Sequence, residues 1–349
     1  MLKACRQRSF DHPKLVGCSN REYVGDAMQY QALVRKFGPA QEVVGIERTP
    51  LPALRRDQVR VRLLARAINP SDIITISGAY AGRTTLPFIP GFEAFGVVEA
   101  CGEEVYGLKP GTRVLPVRSA GGWQEFKDAD PGSCLRVPDA LSDFEAATSY
   151  VNPMTAWLML HGKIGLRSGM RIAVNAAASS IGSILVGLAN AAGVEPVAIV
   201  RSEESRRRLR GRLEAVIIDR EDSDLAAGLA GRHGLDAVLD CVGGPRASIL
   251  ADALKPGGHF VHYGLLSGQS IPNSFWATHP DITFSFCHLR EWVHSESMDN
   301  VQRAYSEVAA QIAAKVIATE VREVFPLERI GEALQAALPF RTGGKVLLA

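Results

Sequence analysis

From Met28 onward, apolar and polar residues alternate in short runs punctuated by glycine and proline. Met28-Gln29-Tyr30-Gln31-Ala32-Leu33-Val34 opens the series; Gln58-Val59-Arg60-Val61-Arg62-Leu63-Leu64 and Gly96-Val97-Val98-Glu99-Ala100 continue it. A period of two sends successive side chains to opposite faces, so these runs predict half-buried β-strands. Short strands at this spacing predict an all-β unit over residues 28–152.

Near residue 153 the rhythm changes. Apolar runs at Arg171–Asn175, Pro196–Val200, Val216–Ile218, Ala237–Asp240 and His259–His262 read as strands. Between the first three lie helical patterns, Ile181–Ala192 and Glu204–Leu213. Strand and helix in alternation predict a parallel sheet with helices on both faces. Past residue 300 a helix over Val301–Ala314 and further short strands follow, ending in Gly343-Gly344-Lys345-Val346-Leu347-Leu348. The fold class expected is α/β. A doubly wound, Rossmann-type sheet (153–300) is inserted between two pieces of a β-rich substrate domain (28–152 and 301–349).

Residues 1–27 stand apart. They show no hydrophobic period, carry five basic and three acidic residues, and lack the apolar core of a secretory signal. A disordered leader or an early start is expected, with a mitochondrial targeting segment as the sharper alternative. The whole chain has 39 basic and 37 acidic residues, a net charge of +2. That balance gives no reason to invoke nucleic acid or an anionic membrane, and no apolar run approaches the ~20 residues of a membrane span. Cys5, Cys18, Cys101, Cys134, Cys241 and Cys287 are scattered, which reads as reduced thiols in a cytoplasmic compartment.

The chemistry concentrates at the ends of the predicted parallel strands. Arg171-Ile172-Ala173-Val174-Asn175 runs into Ala176-Ala177-Ala178-Ser179-Ser180-Ile181-Gly182, which opens a helix. A dinucleotide turn places three glycines here, and only the third, Gly182, is present. The small Ala and Ser side chains still leave room for a phosphate at the helix start. About twenty residues on, where an acidic side chain would bind the 2′-hydroxyl of NAD, the next strand ends in Val200 and is followed by Arg201-Ser202-Glu203. A guanidinium matches a phosphate with paired charge-assisted hydrogen bonds, so this strand end predicts NADPH. The alternative is that Glu203 binds ribose and the arginines are solvated. Leu239-Asp240-Cys241-Val242-Gly243-Gly244 and Tyr263-Gly264-Leu265-Leu266-Ser267 are further strand ends that would face such a ligand.

Several separated segments together resemble the medium-chain dehydrogenase/reductase family, and within it the enoyl thioester reductases related to the mitochondrial 2-enoyl reductase. These are Asn69-Pro70-Ser71-Asp72-Ile73, Ser77-Gly78-Ala79-Tyr80, Pro90-Gly91-Phe92-Glu93, Gly121-Gly122-Trp123 and Val151-Asn152-Pro153-Met154-Thr155-Ala156-Trp157, with the Asn175–Gly182 turn. The resemblance runs from about Tyr30 to the end of the chain. It implies a GroES-like barrel as the substrate domain and Tyr80 as the catalytic residue. It also implies that Asn152, Ala178, Ser179, Ser180, Ile181, Arg201, Ser202, Glu203, Tyr263, Gly264, Leu265, Leu266, Cys287, His288, Leu289 and Lys345 lie near NADPH. Asn69 and Asn152 are expected to orient the substrate, the cofactor or the phenol, and Trp123 to wall the cleft. Two departures bear on the pocket: Phe286-Cys287-His288-Leu289 and then Trp292 stand where such reductases often carry a Phe-Trp pair, and Ala178 stands where they often carry asparagine.

Zinc alcohol dehydrogenases of the same superfamily use a Cys and a His in the segments corresponding to Asn69–Asp72 and Gly91–Glu93. The first segment here has no cysteine, and the second offers Phe92. A catalytic zinc needs three protein ligands, so no metal is expected. His161, His259 and His262 form no ligand-like set and are assigned to structure. Without a metal, the enolate built by hydride addition needs a protonated donor. A tyrosine, with an ordinary pKa of roughly 10, supplies one at neutral pH. The expected activity is NADPH-dependent reduction of an activated C=C bond, a 2-enoyl thioester foremost, with a quinone as the alternative acceptor. A Rossmann-type methyltransferase is disfavoured by Arg201. A non-catalytic nucleotide-binding protein on a reductase scaffold is disfavoured by Tyr80, Asn152 and Lys345. A homodimer is expected by analogy alone.

Overall fold

The computed structural model describes residues 27–338 and 344–349; the leader expectation lies outside them apart from Ala27. Seven strands precede the helix Val151–Trp157. They are β1 (Met28–Val34), β2 (Val44–Pro50), β3 (Val59–Ala67), β4 (Ala94–Cys101), β5 (Arg113–Pro116), β6 (Phe126–Ala129) and β7 (Cys134–Arg136). β1 and β2 form an antiparallel pair of their own. β3 pairs with both β4 and β6, and the sheet continues through β5 to β7. Alternation along β3 predicts exposed arginines, yet Arg60 is 2% exposed. Its guanidinium grips Asp128 on β6 through two bonds of 2.7 and 2.8 Å, the planar pairing that makes burial of such a cation tolerable. Arg66 is likewise buried, donating to the Gln124 and Leu63 carbonyls, and burial lowers it to about 10.

The second sheet contains β8 (Ile172–Val174), β9 (Val197–Val200), β10 (Ala215–Ile218), β11 (Leu235–Asp240), β12 (Leu254–His262) and β13 (Thr283–Phe286). All its pairings are parallel, in the order β10-β9-β8-β11-β12-β13. That is the doubly wound order, with its switch point between β8 and β11, where ligands settle beyond the carboxyl ends. β8 and β9 are buried at every position, as expected of strands covered on both faces. The helix expected over Glu204–Leu213 stops at Arg208. Gly211 adopts φ +94°, and a Cβ there would come within 2.3 Å of Asn190 Oδ1, which instead accepts from the Arg212 N–H at 2.7 Å.

The chain then returns to the first sheet through β14 (Val321–Phe325) and β15 (Lys345–Leu348). β15 runs antiparallel to β3, pairing Leu347 with Ala67. One apolar core spans both sheets, from Phe95 and Leu115 through Tyr150 and Met154 to Ile184 and Val261. Among the described residues no helix is long and apolar enough to cross a membrane.

Candidate active site at the sheet edge

The turn after β8 is tight. Ala176 carries a positive φ of +45°, which a glycine adopts freely and an alanine adopts at a cost of roughly 1–2 kcal/mol. Ser179 caps the following helix, Ser180–Ala191, by accepting from the Gly182 N–H at 3.1 Å. At Gly182 a Cβ would meet Ala176 O at 2.5 Å and Ala177 Cα at 2.7 Å, so only glycine lets this helix approach the strand. Ala178, Ser180 and Ile181 are half-buried around the helix start. Its first N–H groups have no intrahelical acceptor, so they can receive an anion.

Beyond β9, Arg201 is exposed and makes no ion pair among the described residues. Ser202 Oγ accepts from the Ser205 N–H at 3.1 Å, and Glu203 lies 3.5 Å from Arg206. Arg208 pairs with Glu204 at 2.6 Å. From Arg201 to Glu204, Arg201 is therefore the charged group without an ion pair among the described residues; Arg207, further along the helix, is exposed as well. On the neighbouring β10, Asp219 follows in register and pairs with Arg246 at 3.4 Å. Sequence reading did not single out this second charged pair.

At the centre of the edge, register sets Asp240, His262 and Phe286 in one row. Asp240 is fully buried. It accepts from the Gly243 N–H at 3.2 Å, receives the Asn175 amide, and lies 2.6 Å from His262 Nδ1. His262, assigned from sequence to structure, thus helps hold the turn after β11. One residue further on, Cys241, Tyr263 and Cys287 form a second row. Burial pushes both thiols up to about 12 and the Tyr263 phenol well above its usual range, so none of the three is a nucleophile. The Tyr263 hydroxyl is buried beside the Cys241 and Cys287 thiols without a hydrogen bond of normal geometry. The loop Tyr263–Ser267 lies along the Cys241–Val242 turn through Leu266 N to Cys241 O (2.9 Å) and Ser267 N to Val242 O (3.0 Å). It leaves Leu265 and Leu266 exposed and Gly264 close against Cys241. His288 stacks on Phe286, and Leu289 packs against the core.

Glu93 organises the substrate-side residues. Its Oε1 accepts from the Tyr150 and Val151 N–H groups at 2.9 and 2.8 Å, fixing the start of the helix that carries Asn152. Its Oε2 accepts from Asn69 Nδ2 at 2.9 Å and from the Lys345 ammonium at 3.0 Å. Lys345 also donates to Asn69 Oδ1. Asn152 is half-buried, and among the described residues its side-chain amide makes no hydrogen bond. In the sequence Glu93 stands within the Pro90–Glu93 motif, with nothing local to mark this bracing role.

Two expectations need correction here. Asn69 is 0% exposed and both ends of its amide are occupied by Glu93 and Lys345, so it braces the site and does not touch a substrate. Trp123 is also 0% exposed, donating to Ala67 O at 3.2 Å within the core of Ala32, Val34 and Ile76; it is not a cleft wall. Lys345, expected beside a cofactor, spends its charge on Glu93. Tyr80 is 37% exposed on the loop after the helix Pro70–Ile76, with the Arg83 guanidinium 3.8 Å from its ring centroid.

The donors near Phe92 do not suit a metal. Asp72 Oδ2 accepts from Asn69 N at 2.8 Å and Oδ1 from Phe92 N at 2.9 Å. Burial pushes Asp72 up to about 7 against the pull of those donors. Glu93 is committed to Lys345. Among the described residues no group of three or more His, Cys, Asp or Glu side chains is arranged to hold an ion.

A last contact joins the two halves. Arg118, on the loop between β5 and β6, reaches the carboxyl end of the helix Leu289–Ser295. It donates to Val293 O at 2.8 and 3.0 Å and to Glu296 O at 2.7 Å. A partner 175 residues away leaves no signal in local sequence.

Residues 55–150 match the family described as alcohol dehydrogenase GroES-like domain, and residues 213–348 match zinc-binding dehydrogenase. The chain is similar to the mitochondrial enoyl-[acyl-carrier-protein] reductase of Xenopus tropicalis: 33% identical over 247 residues, covering 68% of this chain and 70% of that one. The human protein of that name is 29% identical over 320 residues, covering 89% and 86%. A Bacillus thuringiensis structure, described as a candidate NADPH:quinone reductase, superposes with a TM-score of 0.87 at 31% identity, covering 93% of this chain and 99% of that one.

Proposed function

The chain belongs to the medium-chain dehydrogenase/reductase family, and from that premise we propose that it reduces the activated C=C bond of a 2-enoyl thioester with NADPH and without zinc. The observation that carries the reading is the carboxyl edge of the parallel sheet. Gly182 there admits the helix start, and Arg201 stands exposed beyond β9 with no ion-pair partner among the described residues. Similarity to enoyl reductases over 89% of the chain supports the acceptor class.

The Ser180–Gly182 helix start would hold the pyrophosphate and Arg201 the 2′-phosphate. The loops Cys241–Gly244 and Tyr263–Leu266 would flank the nicotinamide ribose. When bound, NADPH supplies a hydride. Tyr80 would then donate its phenolic proton to the substrate as negative charge develops. Asn152, held in place by Glu93 beneath its helix, would orient the bound partners. Asn69 and Lys345 would act only through Glu93. The family name that mentions zinc does not alter this account, because Phe92 offers no donor and the carboxylates beside it are spent.

A quinone acceptor is the second reading, favoured by the 31% identity and close superposition with the candidate quinone reductase. The two separate in one assay: NADPH oxidation followed by absorbance with crotonyl-CoA, a longer 2-enoyl-CoA and a simple quinone, with and without a chelator. The expected result is thioester turnover that the chelator leaves unchanged. Turnover of the quinone alone would move the assignment to quinone reduction, and inhibition by the chelator would overturn the zinc-free mechanism.

A further inference from the structure

A groove of about 480 Å³ opens between the segment Pro87–Ile89 and the loop Ser119–Gly121. That volume falls in the ~300–1,000 Å³ range of small-molecule sites. Leu33, Phe88 and Ile89 give it an apolar wall, and Gln124, Lys127 and Asp128 line its polar end.

Lys127 is 5% exposed. Its ammonium donates to Pro116 O at 3.1 Å and Ser119 O at 2.9 Å. An ammonium has three donors, so one is unspent. Among the described residues no carboxylate lies within ion-pair distance of it. Asp128, its neighbour in sequence, is committed to Arg60. The other titratable group facing it is the Cys134 thiol on β7, pushed up to about 12 and therefore neutral. A buried cation without a counter-charge is costly, and burial brings Lys127 down to about 8.

We propose that this groove binds a monocarboxylate with a short apolar tail, its carboxylate on the Lys127 ammonium and its tail against Leu33, Phe88 and Ile89. The ligand supplies the counter-charge that the fold omits, and the apolar wall selects for a hydrocarbon chain. Pro116 and Ser119 flank the Arg118 loop, so occupancy bears on the segment that reaches across to Val293. This site is separate from the sheet edge, and the inference stands whether or not the reductase reading does.

Isothermal titration of the full chain, without nucleotide, against octanoate and 1-octanol tests it. Octanoate binds, and octanol binds at least tenfold more weakly. The sign of the pH effect follows from the amine, which is cationic below about 8. Octanoate affinity therefore falls by about tenfold between pH 7 and pH 9. Lys127→Met weakens octanoate at least tenfold while circular dichroism is preserved. No binding, equal binding of the acid and the alcohol, or a pH-independent affinity overturns the proposal. So does a folded Lys127→Met that keeps its affinity. The first three arms need only the native chain, so they decide the matter even if the variant does not fold.

Discussion

Tyr80 projects from a loop that local sequence marks only by its glycine and small residues. Its ring lies under the Arg83 guanidinium, a cation–π contact worth roughly 0.5–1 kcal/mol when exposed. Tyr80→Phe keeps that ring contact and removes only the hydroxyl, so the fold is retained. With Tyr80 as the proposed general acid, the variant is expected to lower kcat with the preferred acceptor by roughly 10²–10⁴-fold, with KM little changed. A variant that keeps kcat and raises KM would make Tyr80 a binding residue. Other residues show where sequence reading stops. Trp123 and Asn69 have the side chains of a cleft, and sequence alone does not reveal that both are enclosed. Glu93 and Lys345 lie 252 residues apart, yet their side chains form one buried pair. Removing one partner of such a pair leaves an uncompensated charge, a cost of about 3–5 kcal/mol.

Elements were more legible than residues. The parallel strands read as apolar runs because both faces of their sheet are covered, and the turn after β8 was visible through Gly182. The missing first glycine has a structural counterpart in Ala176, which takes the strained φ itself. Arg118, on the loop between β5 and β6, was silent in the sequence, because its partners are backbone carbonyls of a distant helix end. Arg118 there sits at φ +70° and makes three bonds to Val293 and Glu296. Arg118→Ala loses those bonds and keeps the strain, costing about 1.5–3 kcal/mol. Arg118→Gly loses the same bonds but relieves the backbone, recovering about 1 kcal/mol. Urea unfolding midpoints in the order wild type, Gly, Ala are expected. An Ala variant with the wild-type midpoint would show that this contact does not hold the halves together.

At the scale of the molecule, two sheets of different construction share one core, and the chain enters, leaves and re-enters the first of them. The return of the last strands could be expected from their position after the helical region, whereas the pairing of β15 with β3 could not, since strand order is set by long-range packing. What gives this architecture a chemical purpose is the carboxyl edge of the second sheet, proposed here as an NADPH site. The direct test is a fluorescence titration of the protein with NADPH and NADH, repeated on Arg201→Ala. The native chain is expected to prefer NADPH. The variant is expected to lose about 1.5–3 kcal/mol of NADPH binding, the worth of a hydrogen bond to a charged group, while NADH affinity barely moves. Equal loss for both nucleotides, or no preference in the native chain, would contradict it.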